Sequence, residues 1–220
     1  MSIEINKNKQ REVIVNNSRE AFEELKEGNR RFLAGQSANT NYLEQIEQTK
    51  NGHQAHSVIL SCMDARVPPE IIFDQGIGNV FVIRNAGNLE DENVLGSLEY
   101  SVHHSTAKLI VVMGHSHCGA VTGALNDIEH GHLSQLVEQI KPAIKTDKTG
   151  PYILTETAKN SVLQTISDIE ERSESIRNLL NEHKISIIGA YYETETGEVF
   201  FFEHCEIICL NSFYEFLRNC

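Results

Sequence analysis

At 220 residues, with 40% hydrophobic and 23% charged positions, the chain has a globular composition and enough length for one sizeable core. A formal net charge of -12 argues against nucleic acid or an anionic membrane surface as partner, since both favour basic faces. No apolar stretch approaches the roughly 20 residues that span a bilayer, and the opening MSIEINKNKQREVIVNNSRE lacks a signal-peptide core and cleavage site, so a cytoplasmic protein is expected.

Residues 1–16 are polar and expected to be loosely ordered. The first predicted helix covers 18–34, capped by Asn17 or Ser18, with Phe22, Leu25, Phe32 and Leu33 at helical spacing. Residues 36–54 read as a polar connection into HSVILSC (56–62), a continuous apolar run of the kind buried on both faces of a sheet. Further strands are predicted at 79–88 and 108–115. Between them, residues 91–105 form a helix capped by Asp91, with Val94, Leu95, Leu98 and Val102 on one face. Helices follow after Cys118, over 132–144 ending near Pro142, and over 155–184 with a break around Ser173 and Ser175. A fourth strand (185–192) turns through Thr196 and Gly197 into a hairpin-paired fifth, and the tail 203–220 reads as a short helix.

Strands alternating with helices predict an α/β fold: a mostly parallel central sheet of about four strands plus the hairpin-paired fifth, flanked by helices on both faces. With no linker and no internal repeat, residues 1–220 are expected to form one domain.

The five cysteines, Cys62, Cys118, Cys205, Cys209 and Cys220, are too sparse for a disulfide framework. Two of them stand where chemistry is expected, because active sites in open parallel sheets lie beyond the carboxyl ends of the strands. The first strand ends at Cys62 in SCMDARVPPE, and the third ends at His115, followed by Cys118 in GHSHCG. Were those strands neighbours, two thiolates and an imidazole would converge, and Cys2His with an open fourth position is a catalytic zinc arrangement. Cys118 also opens a helix, whose dipole favours thiolate. Asp64 and Arg66, just beyond Cys62, form either a surface ion pair or a fixed carboxylate that takes a proton from bound water. The second reading is preferred beside a ligand. His117 is expected at the rim.

These residues resemble the β-class carbonic anhydrases. The resemblance rests on CMDARVPPEIIFDQGIGNVFVIRNAGN (62–88), SLEYSV (97–102) and GHSHCGAV (114–121), with weaker echoes across roughly residues 18–202. It implies one Zn2+ per chain held by Cys62, His115 and Cys118, serving reversible hydration of carbon dioxide to bicarbonate and a proton through hydroxide on the metal. It also implies that Asp64 either pairs with Arg66 in an open site or becomes the fourth ligand in a closed one. Gly119, Val67, Phe81 and Val121 are expected to line the substrate pocket, and Gln75 to hydrogen-bond substrate or bicarbonate. Family members assemble as dimers or multiples of dimers, so a homodimer or tetramer is expected, with the 18–34 helix over the neighbouring subunit.

The chain departs from many relatives in FDQGIGNVF, where Gln75 falls one position early, and an inhibitory bicarbonate site built on tryptophan is excluded because there is no Trp. His117, His103 and His104 are candidates for moving protons. A carbon disulfide or carbonyl sulfide hydrolase on the same fold, or a catalytically silent zinc-binding relative, are the alternatives. A cysteine phosphatase is not: five intervening residues after Cys118 lead to Ala124 instead of an arginine.

Overall fold

Continuous apolar strands need cover on both faces, and here the sheet lies among helices that provide it. In the computed structural model of the protein, which describes residues 15–144 and 150–202, the helix α1 (Ser18–Leu33) comes first. Its cap is Asn17, whose side chain accepts the Glu20 N–H at 2.9 Å. The 36–54 stretch is not a plain connection: it contains α2 (Tyr42–Thr49), capped by Asn41. Only Gln45 of this helix is buried, while Tyr42, Leu43 and Ile46 face outward, so no core-facing apolar stripe marks it in the sequence.

The buried strand β1 (Ser57–Cys62) follows, then a one-turn helix α3 (Pro69–Ile72) started by the Pro68-Pro69 pair. β2 (Val80–Asn85) leads through a 3-10 turn (Ala86–Asn88) to α4 (Glu92–His103), which begins at its Asp91 cap and buries Val94, Leu95, Leu98 and Val102. β3 (Leu109–His115), α5 (Gly119–Leu125) and α6 (His132–Ile140) continue the alternation, α6 giving way to a 3-10 turn at Pro142. The long helical stretch divides at Ser173 into α7 (Ile153–Arg172) and α8 (Glu174–Asn181), Ser173 capping the second. β4 (Ser186–Tyr192) and β5 (Val199–Phe201) close the described fold.

The strand order is β2-β1-β3-β4-β5, parallel throughout except for β5, which runs antiparallel to β4. This is the mixed α/β architecture that the alternating pattern predicts. α1 presses closely on α3: a Cβ added to Gly28 would lie 1.8 Å from the Phe73 carbonyl oxygen. Asn29 then ties three segments together, its Nδ2 donating to the Ile72 and Gly197 carbonyls and its Oδ1 accepting the Val199 N–H. Among the described residues no helix is long and apolar enough to cross a membrane. The expectations for residues 1–14 and for the 203–220 tail, with Cys205, Cys209 and Cys220, lie outside the described residues.

Candidate metal centre

The ladder between β1 and β3 runs from Ser57 opposite Leu109 to Ser61 opposite Met113, so both strands deliver their carboxyl ends to one place. There the ligand atoms of Cys62, His115 and Cys118 lie within 4.8 Å of one another, all three residues buried. Tetrahedral bonds of about 2.0 Å to nitrogen and 2.3 Å to sulfur separate donors by roughly 3.5–3.8 Å, inside that limit. His115 Nδ1 donates to the Ser116 carbonyl at 2.8 Å, which leaves the lone pair on Nε2. Nε2 is buried and has no hydrogen-bond partner. A buried, unpartnered imidazole nitrogen facing two sulfurs is the donor set of a soft divalent ion such as zinc, one ligand short of a closed tetrahedron. Among the described residues no other Cys, His, Asp or Glu group gathers in this way.

The two thiols share their chemistry. Cys62 is pulled well below the ordinary thiol range, first by the Cys118 thiol donating to it and then by the backbone N–H groups of Gly87 and Asp64. Cys118 is held up, because a second proton lost beside the Cys62 thiolate would leave two negative sulfurs in a buried place. A divalent cation removes that conflict by neutralising both. Gly87, at φ +81, brings its N–H up to Cys62, and a Cβ there would sit 3.1 Å from Ile140 Cδ1 and 3.2 Å from Ala120 Cβ.

Asp64 sits apart from the three ligands in a fork formed by Arg66. Arg66 Nε donates to Oδ1 at 3.0 Å, Nη2 to Oδ2 at 2.8 Å, and the Arg66 backbone N–H to Oδ1 at 2.9 Å. These bonds hold the carboxyl far below its usual range, against the opposing pull of burial, with the charge of Arg66 adding to the effect. Arg66 Nη2 also reaches the His117 carbonyl at 3.3 Å, so one guanidinium bridges the two ligand-bearing segments. His117 itself adopts φ +56, is exposed, and has its Nε2 3.4 Å from Glu195.

Gly119 is exposed, and a side chain there would meet nothing within 4 Å, so the main chain is open beside Cys118. Val67 and Val121 are buried next to Asp64 and Cys118. Phe81 and Gln75 are placed elsewhere in this chain. Phe81 pairs with Val58, four residues before Cys62, and Gln75 Oε1 lies 3.1 Å from Nε2 of His56, which precedes β1. At about 3.3 Å per residue of strand, roughly 13 Å separates Val58 from Cys62 and roughly 20 Å separates His56 from it.

A family model described as carbonic anhydrase matches residues 57–199, more than half of the chain. The chain belongs to the β-carbonic anhydrase family. Carbonic anhydrase 2 of Mycobacterium tuberculosis is 36% identical over 191 residues, which cover 84% of this chain and 92% of the relative. The solved β-carbonic anhydrase CcaA superposes with a TM-score of 0.66 at 25% identity, over 83% of this chain and 88% of its own. A tetrameric β-carbonic anhydrase from Sordaria macrospora shares the fold, with a TM-score of 0.64 at 24% identity over 72% and 89% of the two chains.

One residue of this β-carbonic anhydrase site escapes sequence reasoning. Arg84, on β2, donates through Nε to the Cys62 carbonyl at 3.1 Å and through Nη2 to the Asp64 carbonyl at 2.5 Å. It thereby fixes the segment that carries both a candidate metal ligand and the paired carboxylate. The ladder register, with Ser61 opposite Arg84, is the only signal that would have found it.

Proposed function

We propose that the chain catalyses the reversible hydration of carbon dioxide to bicarbonate and a proton, with one zinc ion held by Cys62, His115 and Cys118. The observation that carries this reading is the convergence of those three ligand atoms within 4.8 Å beside a carboxylate clamped by Arg66. When bound, zinc supplies a Lewis acid that makes hydroxide available near neutral pH. Asp64, ionised in the Arg66 fork, is a hydrogen-bond acceptor with no proton of its own to give; it orients the attacking oxygen by accepting its hydrogen. Arg66 holds the carboxylate and keeps it from joining the ligand set, which leaves the fourth position for water. Gly119, Val67 and Val121 form the wall against which a small apolar molecule rests. In this reading His117, exposed and with its Nε2 3.4 Å from Glu195, is a candidate for passing a proton to solvent.

The reading takes residues 1–220 as one cytoplasmic domain acting as a homodimer or tetramer, without nucleic acid or membrane partners. Support for assembly comes from the tetrameric Sordaria relative and from exposed large apolar side chains: Leu43 is 81% exposed, Ile71 54% and Met63 62%. Phe81 and Gln75 contact substrate only in such an assembly, where a second copy presents them.

Metal analysis with stopped-flow hydration from about pH 6.5 to about pH 9 tests the reading. One zinc per chain and a rate that rises with pH are expected; absence of zinc, or zinc without hydration at any pH, would refute it. A sulfide-release assay on carbon disulfide and carbonyl sulfide, run in parallel, separates the other substrate class.

A further inference from the structure

The ligand loop between His115 and Cys118 is anchored from a distant part of the chain. β3 and β4 end their ladder with His115 opposite Tyr192, and the Ser116 N–H extends it by donating to the Tyr192 carbonyl at 2.9 Å. The Ser116 side chain then continues the pairing: its Oγ accepts the Thr194 N–H at 2.8 Å and lies 2.8 Å from Thr194 Oγ1, 78 residues away in sequence. The next residue, His117, turns left-handed and exposed. Ser116 is thus the last residue of this loop that ladder pairing to β4 holds before Cys118. Its carbonyl is also the acceptor for His115 Nδ1.

We propose that Thr194, in the β4–β5 turn, is a positioning residue for the metal centre, acting through Ser116. The hydroxyl pair fixes the Ser116 peptide, the peptide carbonyl holds the Nδ1 proton of His115, and the imidazole is thereby set in the tautomer and orientation that present Nε2 to the metal. Partners that orient a ligating histidine typically contribute 10–100-fold to metal affinity. Here the partner is a backbone carbonyl, so its own orientation depends on what holds that peptide. The hydrogen bonds of Thr194 go to Ser116, which is not itself one of the proposed ligands. The inference rests on the reading that Cys62, His115 and Cys118 hold zinc.

The test compares wild type with Thr194→Val, which keeps the shape and removes the hydroxyl, and with Ser116→Ala. Thr194→Ser and Ser116→Thr restore a hydroxyl in each case. Zinc loss from the holoenzyme to a chromogenic chelator and the absorption spectrum of the cobalt-substituted protein report on the centre itself. The unfolding midpoint of the metal-free protein reports on the scaffold. Zinc release about 10-fold faster in Thr194→Val and Ser116→Ala is expected, with an altered cobalt spectrum, an unchanged metal-free midpoint, and recovery in Thr194→Ser and Ser116→Thr. Unchanged release and spectrum in both deletions would overturn the proposal, as would faster release that the restored hydroxyls fail to correct. Wild type that takes up neither zinc nor cobalt would overturn the zinc reading and this inference together, whereas normal uptake with unaffected variants removes only Thr194 from the account.

Discussion

Asp64 and Arg66 meet as a two-pronged pair, Nε on Oδ1 at 3.0 Å and Nη2 on Oδ2 at 2.8 Å, although only one residue separates them in the chain. Arg66 is half exposed and Asp64 mostly covered, with side-chain exposures of 53% and 21%. A pair with one partner half exposed contributes little to stability, so its geometry points to chemistry. Asp64→Asn should therefore leave folding nearly unchanged while lowering hydration by about 100-fold or more. Stopped-flow rates beside a thermal midpoint check both halves. Arg66→Lys should fall between wild type and Arg66→Ala, because an ammonium keeps the charge and loses the fork.

Arg84 holds the carbonyls of Cys62 and Asp64 with one guanidinium. Replacing it by alanine frees the segment that carries a ligand and the carboxylate. Hydration should drop about 10-fold, and zinc should be lost faster to a chelator. Arg84→Lys cannot reach both carbonyls in the same plane and should recover only part of the loss. Wild-type rates in Arg84→Ala would remove this clamp from the account of the site.

Removal of the metal should abolish hydration reversibly, with zinc restoring it. Cys62→Ser should lower the zinc content well below one per chain even with excess metal present, since a hydroxyl does not substitute for a thiolate ligand. The metal-loaded protein should also unfold at higher temperature than the metal-free one, because an ion that binds only the folded state stabilises it by mass action. Calorimetry of both forms tests this.

His56 provides a pH dependence remote from the metal. It is 4% exposed, with Nδ1 2.8 Å from Ser57 Oγ and Nε2 3.1 Å from Gln75 Oε1. Burial pulls its pKa below the ordinary value of 6.5, and this outweighs the opposing influence of Gln75 and Glu24. Between the two values the unfolded chain binds the extra proton and the folded one does not. Stability from this group is therefore fully present above about pH 6.5 and declines as pH falls through and below it. Urea midpoints at about pH 7 and about pH 5 should differ more in wild type than in His56→Gln.

Gly28 and Gly96 make opposite predictions for the same substitution. A methyl on Gly28 collides with the Phe73 carbonyl at 1.8 Å, whereas one on Gly96 meets nothing within 4 Å on the outer side of α4. Gly28→Ala should cost about 3 kcal/mol or more, since α1 must move off α3. Gly96→Ala should stabilise by up to about 1 kcal/mol through helix propensity. Denaturant midpoints decide both.

β1, β3 and β4 and the candidate ligands were legible because burial on both faces writes itself as unbroken apolar runs, and because β1 and β3 end in unusual residues. α2 was not, since its apolar residues point outward and leave no inward stripe. Arg84 and Thr194 were hidden for a different reason: each acts through backbone atoms of another segment, and such contacts leave no residue-type signature. The positions of Phe81 and Gln75 relative to the ligands depend on where each falls along β1, which only strand register reveals.

β1 and β3 are neighbours in the sheet, yet residues 63–108 come between them in the chain. A growing polypeptide that has released Cys62 alone offers an ion one sulfur, and the other two ligands arrive only when that whole crossover has been laid down. On the proposed ligand set, metal capture thus waits until β1 and β3 stand side by side: the ion would act as a bolt slid home once those two strands are joined.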